Sequence, residues 1–184
     1  LDLERYLSGT TKLWVATTSV VTGEARYFPV DDQNIHNVLT ASCSIPLAYR
    51  DYPRVEDEPM SDGGIADSIP VAEAYRRGAR DMTVVLSRPL GYEKKPLAFP
   101  ALTKRMFREQ PGLAEAIIRR GERYNETLEF IRNPPEDCRL RIIAPPEDFP
   151  VSRLTTDLNK LDLGYQQGHR AAMAYLAELA QEVA

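Results

Sequence analysis

An aspartate followed by two glycines and then by helix-forming residues restricts the fold of this chain more than any other stretch. The segment SDGGIADSIPV at residues 61–71 places Asp62 and the glycines just ahead of a proline that suits a first helical turn. The short apolar run MTVVLS at residues 82–87 follows, without polar alternation, as in the interior strand of a parallel sheet. A turn, a helix and a buried strand in this order predict an α/β layer architecture with right-handed crossovers.

The residues before this segment predict a hairpin, a helix and a loop. In KLWVATTSVVTGEARYF, β-branched and aromatic residues predict strands near residues 12–20 and 24–28, joined by a turn at Thr-Gly-Glu. The apolar spacing in NIHNVLTASCSI predicts a short helix that ends before Pro46. Residues 46–60, rich in proline and acids, are predicted to form a surface loop. Near the start of the chain, LERYL at residues 3–7 has the character of a helix tail.

The second half of the chain is mainly helical by its apolar period. Pro111 is expected to open the second of two helices, and residues 96–133 are a candidate helical cap. Its apolar stripe consists of Leu113, Ile117, Tyr124, Leu128 and Ile131. CRLRIIAPP predicts another strand, and GYQQGHRAAMAYLAELAQEV predicts a closing amphipathic helix. The expected fold is one α/β domain over residues 1–184, mainly a parallel sheet with helices on both faces and a helical cap-like insertion.

Charge and composition exclude several classes of partner. The net charge of -4 argues against an extended basic surface, so no nucleic acid partner is predicted. No run approaches the roughly 18 apolar residues of a membrane-spanning helix. Cys43 and Cys138 lie far apart without metal-ligand spacing, which favours buried or idle thiols in a reducing compartment.

The common catalytic and cofactor motifs are missing from this sequence. It contains no G-x-S-x-G pentapeptide and neither of the glycine-rich phosphate-binding patterns. His36 and His169 are the only histidines, and each fits a surface or packing role on a predicted helix better than metal ligation. We therefore predict no metal and no organic cofactor. By itself, Asp-Gly-Gly is most often a plain turn.

The context of the Asp-Gly-Gly turn resembles a known family. LTASCSIPLAY, a proline-rich loop and then DGGIADSIPVAEAYRRGARDMTVVLS are similar to the C-terminal half of the patatin-like phospholipase domain, closest to its bacterial cytoplasmic branch. ATTSVVTGEARYF also resembles the strand pair that precedes it in that family. The resemblance covers about residues 12–90 well and the remainder only loosely.

The resemblance implies a function for Asp62. In the family, a serine and an aspartate form a catalytic dyad without histidine; Asp62 matches that aspartate, and Gly63 and Gly64 match the residues after it. The serine and the oxyanion loop lie upstream in the family, so we expect this chain to lack the nucleophile-bearing N-terminal part and to be inactive alone. The intact protein is expected to be a cytoplasmic lipid acyl hydrolase with an acyl-ester substrate, transient membrane contact and no cofactor.

Other residues near the turn compete for a catalytic role. Asp67, Asp31 and Asp32 precede predicted helices, where carboxylates ordinarily cap free N–H groups. Ser42 and Ser44 lack a glycine elbow and are expected to pack near the site. Four apolar residues of the candidate cap are expected to line an acyl path or to belong to the core: Phe99, Leu102, Met106 and Phe107.

Two other functions fit the same sequence. One is a noncatalytic binding or regulatory module that kept the patatin-like fold, in which Asp62 serves no reaction. The other is an interaction domain in which Asp-Gly-Gly is only a turn and the arginine-bearing helices around residues 104–123 form a partner surface.

Overall fold

The computed structural model describes residues 2–49, 51–152 and 154–183. The chain divides into two compact units. The first consists of Leu1–Pro70 and Lys94–Thr127, and the second consists of Val71–Glu93 and Leu128–Ala184.

The first unit contains a four-stranded sheet in the order β2-β1-β4-β3. Every neighbouring pair in this sheet is antiparallel. The strands are β1 (Trp14–Ser19), β2 (Ala25–Pro29), β3 (Arg54–Val55) and β4 (Glu58–Asp62). The predicted hairpin is confirmed, because β1 and β2 pair around a turn in which Gly23 adopts a φ of 73°.

The predicted loop at residues 46–60 is wrong in its second half, which forms a tight hairpin. Glu56 and Asp57 connect β3 to β4 and have φ values of 49° and 63°. Positive φ at both central residues is the geometry of the two-residue hairpin turn that matches strand twist. Asparagine and glycine usually occupy such turns. Because two acidic residues between prolines are typical of a loop, the sequence did not indicate this hairpin.

Five helices lie wholly or mainly in the first unit. They are α1 (Leu3–Leu7), α2 (Ile35–Ser42), α3 (Gly63–Ala66), α5 (Pro100–Met106) and α6 (Pro111–Arg132). The end of α2 before Pro46 and the start of α6 at Pro111 are confirmed. LERYL forms the short helix α1, and the Asp2 side chain accepts the Arg5 N–H as its N-cap.

Two apolar clusters hold the first unit together. In one, α2 packs against the sheet, with Val38 and Met60 fully buried. In the other, the start of α6 packs around Ile65 of α3 through Leu113, Ala114 and Ala116. Burial of apolar surface at about 25 cal/mol per Å² makes these clusters the main source of stability. The second cluster fixes α6 next to the Asp-Gly-Gly turn.

The second unit combines helices with a small parallel sheet. Its strands β5 (Asp81–Val85) and β6 (Arg139–Ile143) pair in parallel. Its helices are α4 (Val71–Arg76) and α7 (Leu158–Val183), and it also holds the end of α6, where Leu128 and Ile131 are buried as predicted.

The predicted fold class, a mainly parallel sheet with helices on both faces, is wrong for this chain. The larger sheet is antiparallel, and the only parallel pairing in the described residues joins β5 to β6. MTVVLS does form a strand, but Val85 is 72% exposed, so this strand is not covered on both faces. An apolar run identifies a strand but not the direction or number of its partners, which depend on distant residues.

A search of the described residues for a helix long and apolar enough to cross a membrane found none.

Candidate active site

The Asp-Gly-Gly turn lies where β4 meets α3, at the end of a sheet strand. Asp62 is the last residue of β4 and pairs with Thr17 of β1. Its N–H donates to the Ser44 carbonyl at 3.0 Å, and its carbonyl accepts from the Thr18 hydroxyl at 2.8 Å. Thr18 in turn accepts the Ala66 N–H at 3.1 Å. The backbone of Asp62 is therefore fixed from β1, from the end of α2 and from α3.

The Asp62 carboxylate is half-buried and held by only one of its oxygens. Oδ1 accepts the Gly64 N–H at 2.7 Å, so Asp62 is the N-cap of α3. Within residues 2–49, 51–152 and 154–183, Oδ2 has no hydrogen-bond partner. The side chain is thus oriented by one oxygen and leaves the other able to accept a proton from a hydroxyl group.

Glycine is needed at the two positions of the turn for different structural reasons. A Cβ atom on Gly63 would lie 2.1 Å from the Ala16 carbonyl oxygen of β1, so only glycine lets the turn approach this strand. A Cβ atom on Gly64 would lie 3.1 Å from Oδ1 of Asp62. Gly63 is required by the sheet, whereas Gly64 leaves room for the carboxylate.

Two side chains that the sequence analysis did not assign to the site bind Gly64, and a third supports one of them. Its carbonyl accepts from the Ser68 hydroxyl at 2.8 Å and from Nε of Arg120 at 2.7 Å. The Lys94 ammonium donates to the Ser68 hydroxyl at 3.2 Å. The helical spacing of α6 could have indicated the contact of Arg120. This residue lies between Ile117 and Tyr124 in the apolar stripe, where a buried cation needs a hydrogen-bond partner.

The competing aspartates have structural contacts. Asp67 accepts the Tyr27 hydroxyl on Oδ2 at 2.5 Å and the Ile69 N–H on Oδ1 at 3.2 Å, so both of its oxygens are engaged. Oδ1 of Asp31 accepts two N–H groups just ahead of α2, at 3.0 and 2.8 Å. Asp32 is exposed on the same turn. These contacts are turn contacts ahead of the helices, and both oxygens of Asp67 are engaged, whereas Oδ2 of Asp62 has no partner in the described residues.

The competing serines and histidines also have ordinary roles. Ser44 is buried, and its hydroxyl donates to the Thr40 carbonyl at 2.6 Å while its own carbonyl holds Asp62. Ser44 lies next to Asp62, as expected, and its hydroxyl proton is used in the hydrogen bond to α2. His36 and His169 are exposed. The part of the chain that the structure describes contains no group of three or more side chains able to hold a metal ion.

The strongest electrostatic perturbations among carboxylates lie in the second unit. The Arg76 guanidinium lowers the pKa of Glu73 through a hydrogen bond. The Tyr75 hydroxyl and Arg80 lower the pKa of Asp137 in the same way, and Arg141 lowers that of Asp81. Asp137 and Asp81 are exposed groups whose hydrogen bonds tie α4, β5 and β6 together, whereas Glu73 is largely buried and pairs with Arg76 and Arg77.

The candidate cap exposes apolar side chains. Phe99, Leu102 and Met106 are 71%, 55% and 49% exposed along α5. Phe107 is buried in the cluster around Ile65, so it belongs to the core rather than to an acyl path. Arg123 donates to the Gly23 carbonyl at 3.1 Å, so part of the arginine-bearing helix surface faces the chain itself.

The candidate site therefore consists of a strand that ends in an oriented carboxylate with one open oxygen, followed by a glycine turn and a short helix. Residues 11–75 match the family model described as patatin-like phospholipase, which confirms the resemblance. The match lies in the N-terminal part of the chain and ends before the expected residue 90. Residues 110–183 match a different model, described as a domain of unknown function.

A curated relative matches most of the chain. The uncharacterized protein YjjU of Escherichia coli (strain K12) is 31% identical over 153 residues, which is 82% of this chain and 43% of that protein. The chain therefore spans less than half the length of the relative that it matches.

Proposed function

We propose that these residues belong to a lipid acyl hydrolase in which Asp62 is the general base of a serine–aspartate dyad. The observation that carries the proposal is the state of the carboxylate, with Oδ1 held by the Gly64 N–H and Oδ2 without a partner in the described residues. The patatin-like match of residues 11–75 supports a lipid hydrolase class.

In this proposal the nucleophilic serine comes from outside the 184 residues, because no G-x-S-x-G elbow occurs among them. The serine oxygen attacks the ester carbonyl while its proton passes to Oδ2 of Asp62. The tetrahedral intermediate collapses, the ester C–O bond breaks, and the proton goes to the leaving alcohol. Water then hydrolyses the acyl-enzyme by the same proton path, and backbone donors that also lie outside this chain stabilise the oxyanion.

The geometry has to compensate for a weak base. An ordinary aspartate has a pKa near 3.9, far below that of a serine hydroxyl, so the pair must be short and aligned. A hydrogen bond of about 2.5–2.7 Å between a hydroxyl and a carboxylate meets that need. The Gly64 N–H supports this role because it fixes the carboxylate before the serine approaches.

Labelling with a fluorophosphonate tests the proposal directly. In the longer protein that the proposal requires, we expect the probe to modify one serine outside the present residues and to abolish hydrolysis of p-nitrophenyl butyrate. Mass spectrometry of the labelled peptide identifies the position. Labelling at Ser42, Ser44 or Ser68, or hydrolysis without any labelled serine, would contradict the proposed dyad.

We further propose that α5 contacts the lipid substrate, which makes membrane contact part of the function. Its three exposed apolar side chains lie within residues 94–108, a segment with five basic residues and no acid, although the whole chain has a net charge of -4. Apolar side chains flanked by cations suit the surface of an anionic lipid layer.

A triple substitution of α5 measures this contact. We expect Phe99→Ala, Leu102→Ala and Met106→Ala together to reduce hydrolysis of phosphatidylglycerol vesicles by about 10-fold or more, because each lost apolar side chain removes roughly 1–2 kcal/mol of interfacial burial. Hydrolysis of soluble p-nitrophenyl butyrate should stay within about twofold of wild type, since the dyad is untouched.

The matched control removes three exposed apolar side chains elsewhere, with Val21→Ala, Leu154→Ala and Leu158→Ala. Wild-type hydrolysis of vesicles is expected from this control. An equal loss in both triple variants, or a loss on both substrates in the α5 variant, would rule out a specific lipid contact by α5.

The cysteines and the resemblance to the bacterial cytoplasmic branch support a cytoplasmic location in this proposal. Cys43 is exposed and Cys138 is buried, and both are free thiols.

A noncatalytic module on the same fold is the second candidate. It is favoured if a protein containing these residues neither hydrolyses the ester nor reacts with the fluorophosphonate.

A further inference from the structure

The peptide group of Gly64 is hydrogen-bonded at both ends. Its N–H donates to Oδ1 of Asp62 at 2.7 Å, and its carbonyl accepts from the Ser68 hydroxyl at 2.8 Å and from Nε of Arg120 at 2.7 Å. The Asp62 carboxylate is therefore oriented by one amide, and that amide is in turn fixed by Arg120. We infer that Arg120 is a positioning residue for Asp62, an inference that rests on the proposed function of Asp62.

Arg120 comes from the segment of unknown function. It lies on α6, within residues 110–183, whereas Asp62 and Gly64 lie within the patatin-like segment 11–75. Both belong to the same compact unit, so their contact is internal to that unit. The segment of unknown function thus supplies a side chain that supports the turn of the other segment.

The placement of Arg120 is set by packing on the same helix. Leu113, Ala114 and Ala116 of α6 pack with Ile65, the residue that follows Gly64, and Leu113 is fully buried. Arg120 stands one turn further along α6 from Ala116 and is half-buried. Because the helix is anchored next to the turn, the guanidinium has a defined position relative to the Gly64 carbonyl.

The second donor to that carbonyl also depends on α6. The Lys94 ammonium donates to the Ser68 hydroxyl at 3.2 Å and lies 3.9 Å from the centre of the Tyr124 ring. The side chain of Asn125 bonds both the N–H and the carbonyl of Lys94, at 2.9 and 3.0 Å. Tyr124 and Asn125 therefore place Lys94, which supports Ser68. Both donors on the Gly64 carbonyl are linked to one helix.

Two physical effects make this contact relevant to a base. Donors on a carbonyl polarise the amide and strengthen its N–H as a donor, more so when the donor is charged, which holds Oδ1 in place without making the carboxylate a stronger base. They also fix the plane of the Gly64 peptide, so the N–H points at Oδ1 and Oδ2 keeps one direction. A small misplacement of a catalytic group can cost about 100-fold in rate, so a loosened turn should lower kcat rather than substrate binding.

The test compares Arg120 with its neighbour on α6. We expect Arg120→Ala to lower kcat for p-nitrophenyl butyrate by about 10- to 100-fold with KM within about twofold, because the guanidinium acts through the Gly64 peptide group. The kcat of Arg120→Lys should lie between that of Arg120→Ala and that of wild type, because an ammonium can donate to the carbonyl but lacks the planar, fixed donor geometry of a guanidinium. Arg119→Ala is the control, because Arg119 is an exposed residue that pairs with Glu122, and wild-type kinetics are expected.

The outcomes separate this inference from the proposed function. Circular dichroism and urea unfolding establish that each variant is folded. Wild-type kcat in folded Arg120→Ala, or an effect confined to KM, overturns the inference even when Asp62→Asn is inactive. If Arg120→Ala does not fold, Arg120→Lys decides: reduced kcat at unchanged KM supports positioning, and wild-type kcat overturns it. Full activity of Asp62→Asn would remove the proposed function and the inference together.

Discussion

Substitution of Asp62 by asparagine in the longer protein that supplies the proposed serine is expected to reduce kcat/KM for p-nitrophenyl butyrate by about 10²- to 10⁴-fold, the usual contribution of a general base. Asparagine has nearly the same shape as aspartate, and its amide oxygen can still accept the Gly64 N–H that Oδ1 accepts at 2.7 Å. What is lost is the anionic oxygen that takes the serine proton. The barrier should rise by about 3–5 kcal/mol while the fold is retained.

Asp67→Asn is the matched control for this substitution. Both Asp67 oxygens are engaged in structural contacts, with the Tyr27 hydroxyl and the Ile69 N–H. Weakening them should cost about 1–2 kcal/mol of stability and change kcat/KM by no more than a few fold. A greater loss of activity in Asp67→Asn than in Asp62→Asn would show that the roles of the two carboxylates had been assigned the wrong way round.

Alanine at the two glycines of the turn should separate stability from activity. In Gly63→Ala, the new Cβ atom would lie 2.1 Å from the Ala16 carbonyl oxygen, a contact that β1 or the turn must move to relieve. Since Asp62 pairs with Thr17 on the same strand, that movement disrupts the β1–β4 ladder. We expect a loss of more than about 3 kcal/mol in the free energy of unfolding, or failure to fold.

Gly64→Ala is expected to behave differently, because its Cβ atom would lie 3.1 Å from Oδ1 of Asp62 and 3.7 Å from Nη2 of Arg120. Both neighbours are side-chain atoms that can shift by a few tenths of an ångström. The variant should fold, lose less than about 1.5 kcal/mol of stability and lose about 10-fold or more in kcat. Urea unfolding and ester kinetics on the same samples provide the comparison, and equal stability of the two variants would disprove the close approach at Gly63.

Features that depend on a few consecutive residues could be predicted from the sequence. The hairpin predicted near residues 12–20 and 24–28 forms at Trp14–Ser19 and Ala25–Pro29, because a glycine with positive φ closes the turn between β-branched runs. Pro111 begins α6 as expected, and the buried residues of its stripe follow the helical period. Asp67 could be recognised as structural because a carboxylate ahead of a helix has free N–H groups nearby.

Features that depend on distant residues could not be predicted. In the larger sheet, β1 pairs in the antiparallel direction with both β2 and β4. The residues of β4 lie more than 40 positions further along the chain than their partners in β1. The local composition of β1 does not indicate which distant strand pairs with it or in which direction. Arg120 is a similar case, since it contacts Gly64 across 56 residues, and only its position in an apolar stripe distinguishes it from the other arginines of α6.

The division of the chain by family differs from its division by contacts. Two family models separate residues 11–75 from residues 110–183, yet the first unit contains Leu1–Pro70 together with Lys94–Thr127. A protein truncated between the matched segments would lack the α6 residues that pack against Ile65 and Val20. The apolar surface exposed in this way would favour aggregation. Gene fusions, split reporters or swaps between homologues should therefore keep both segments on one polypeptide.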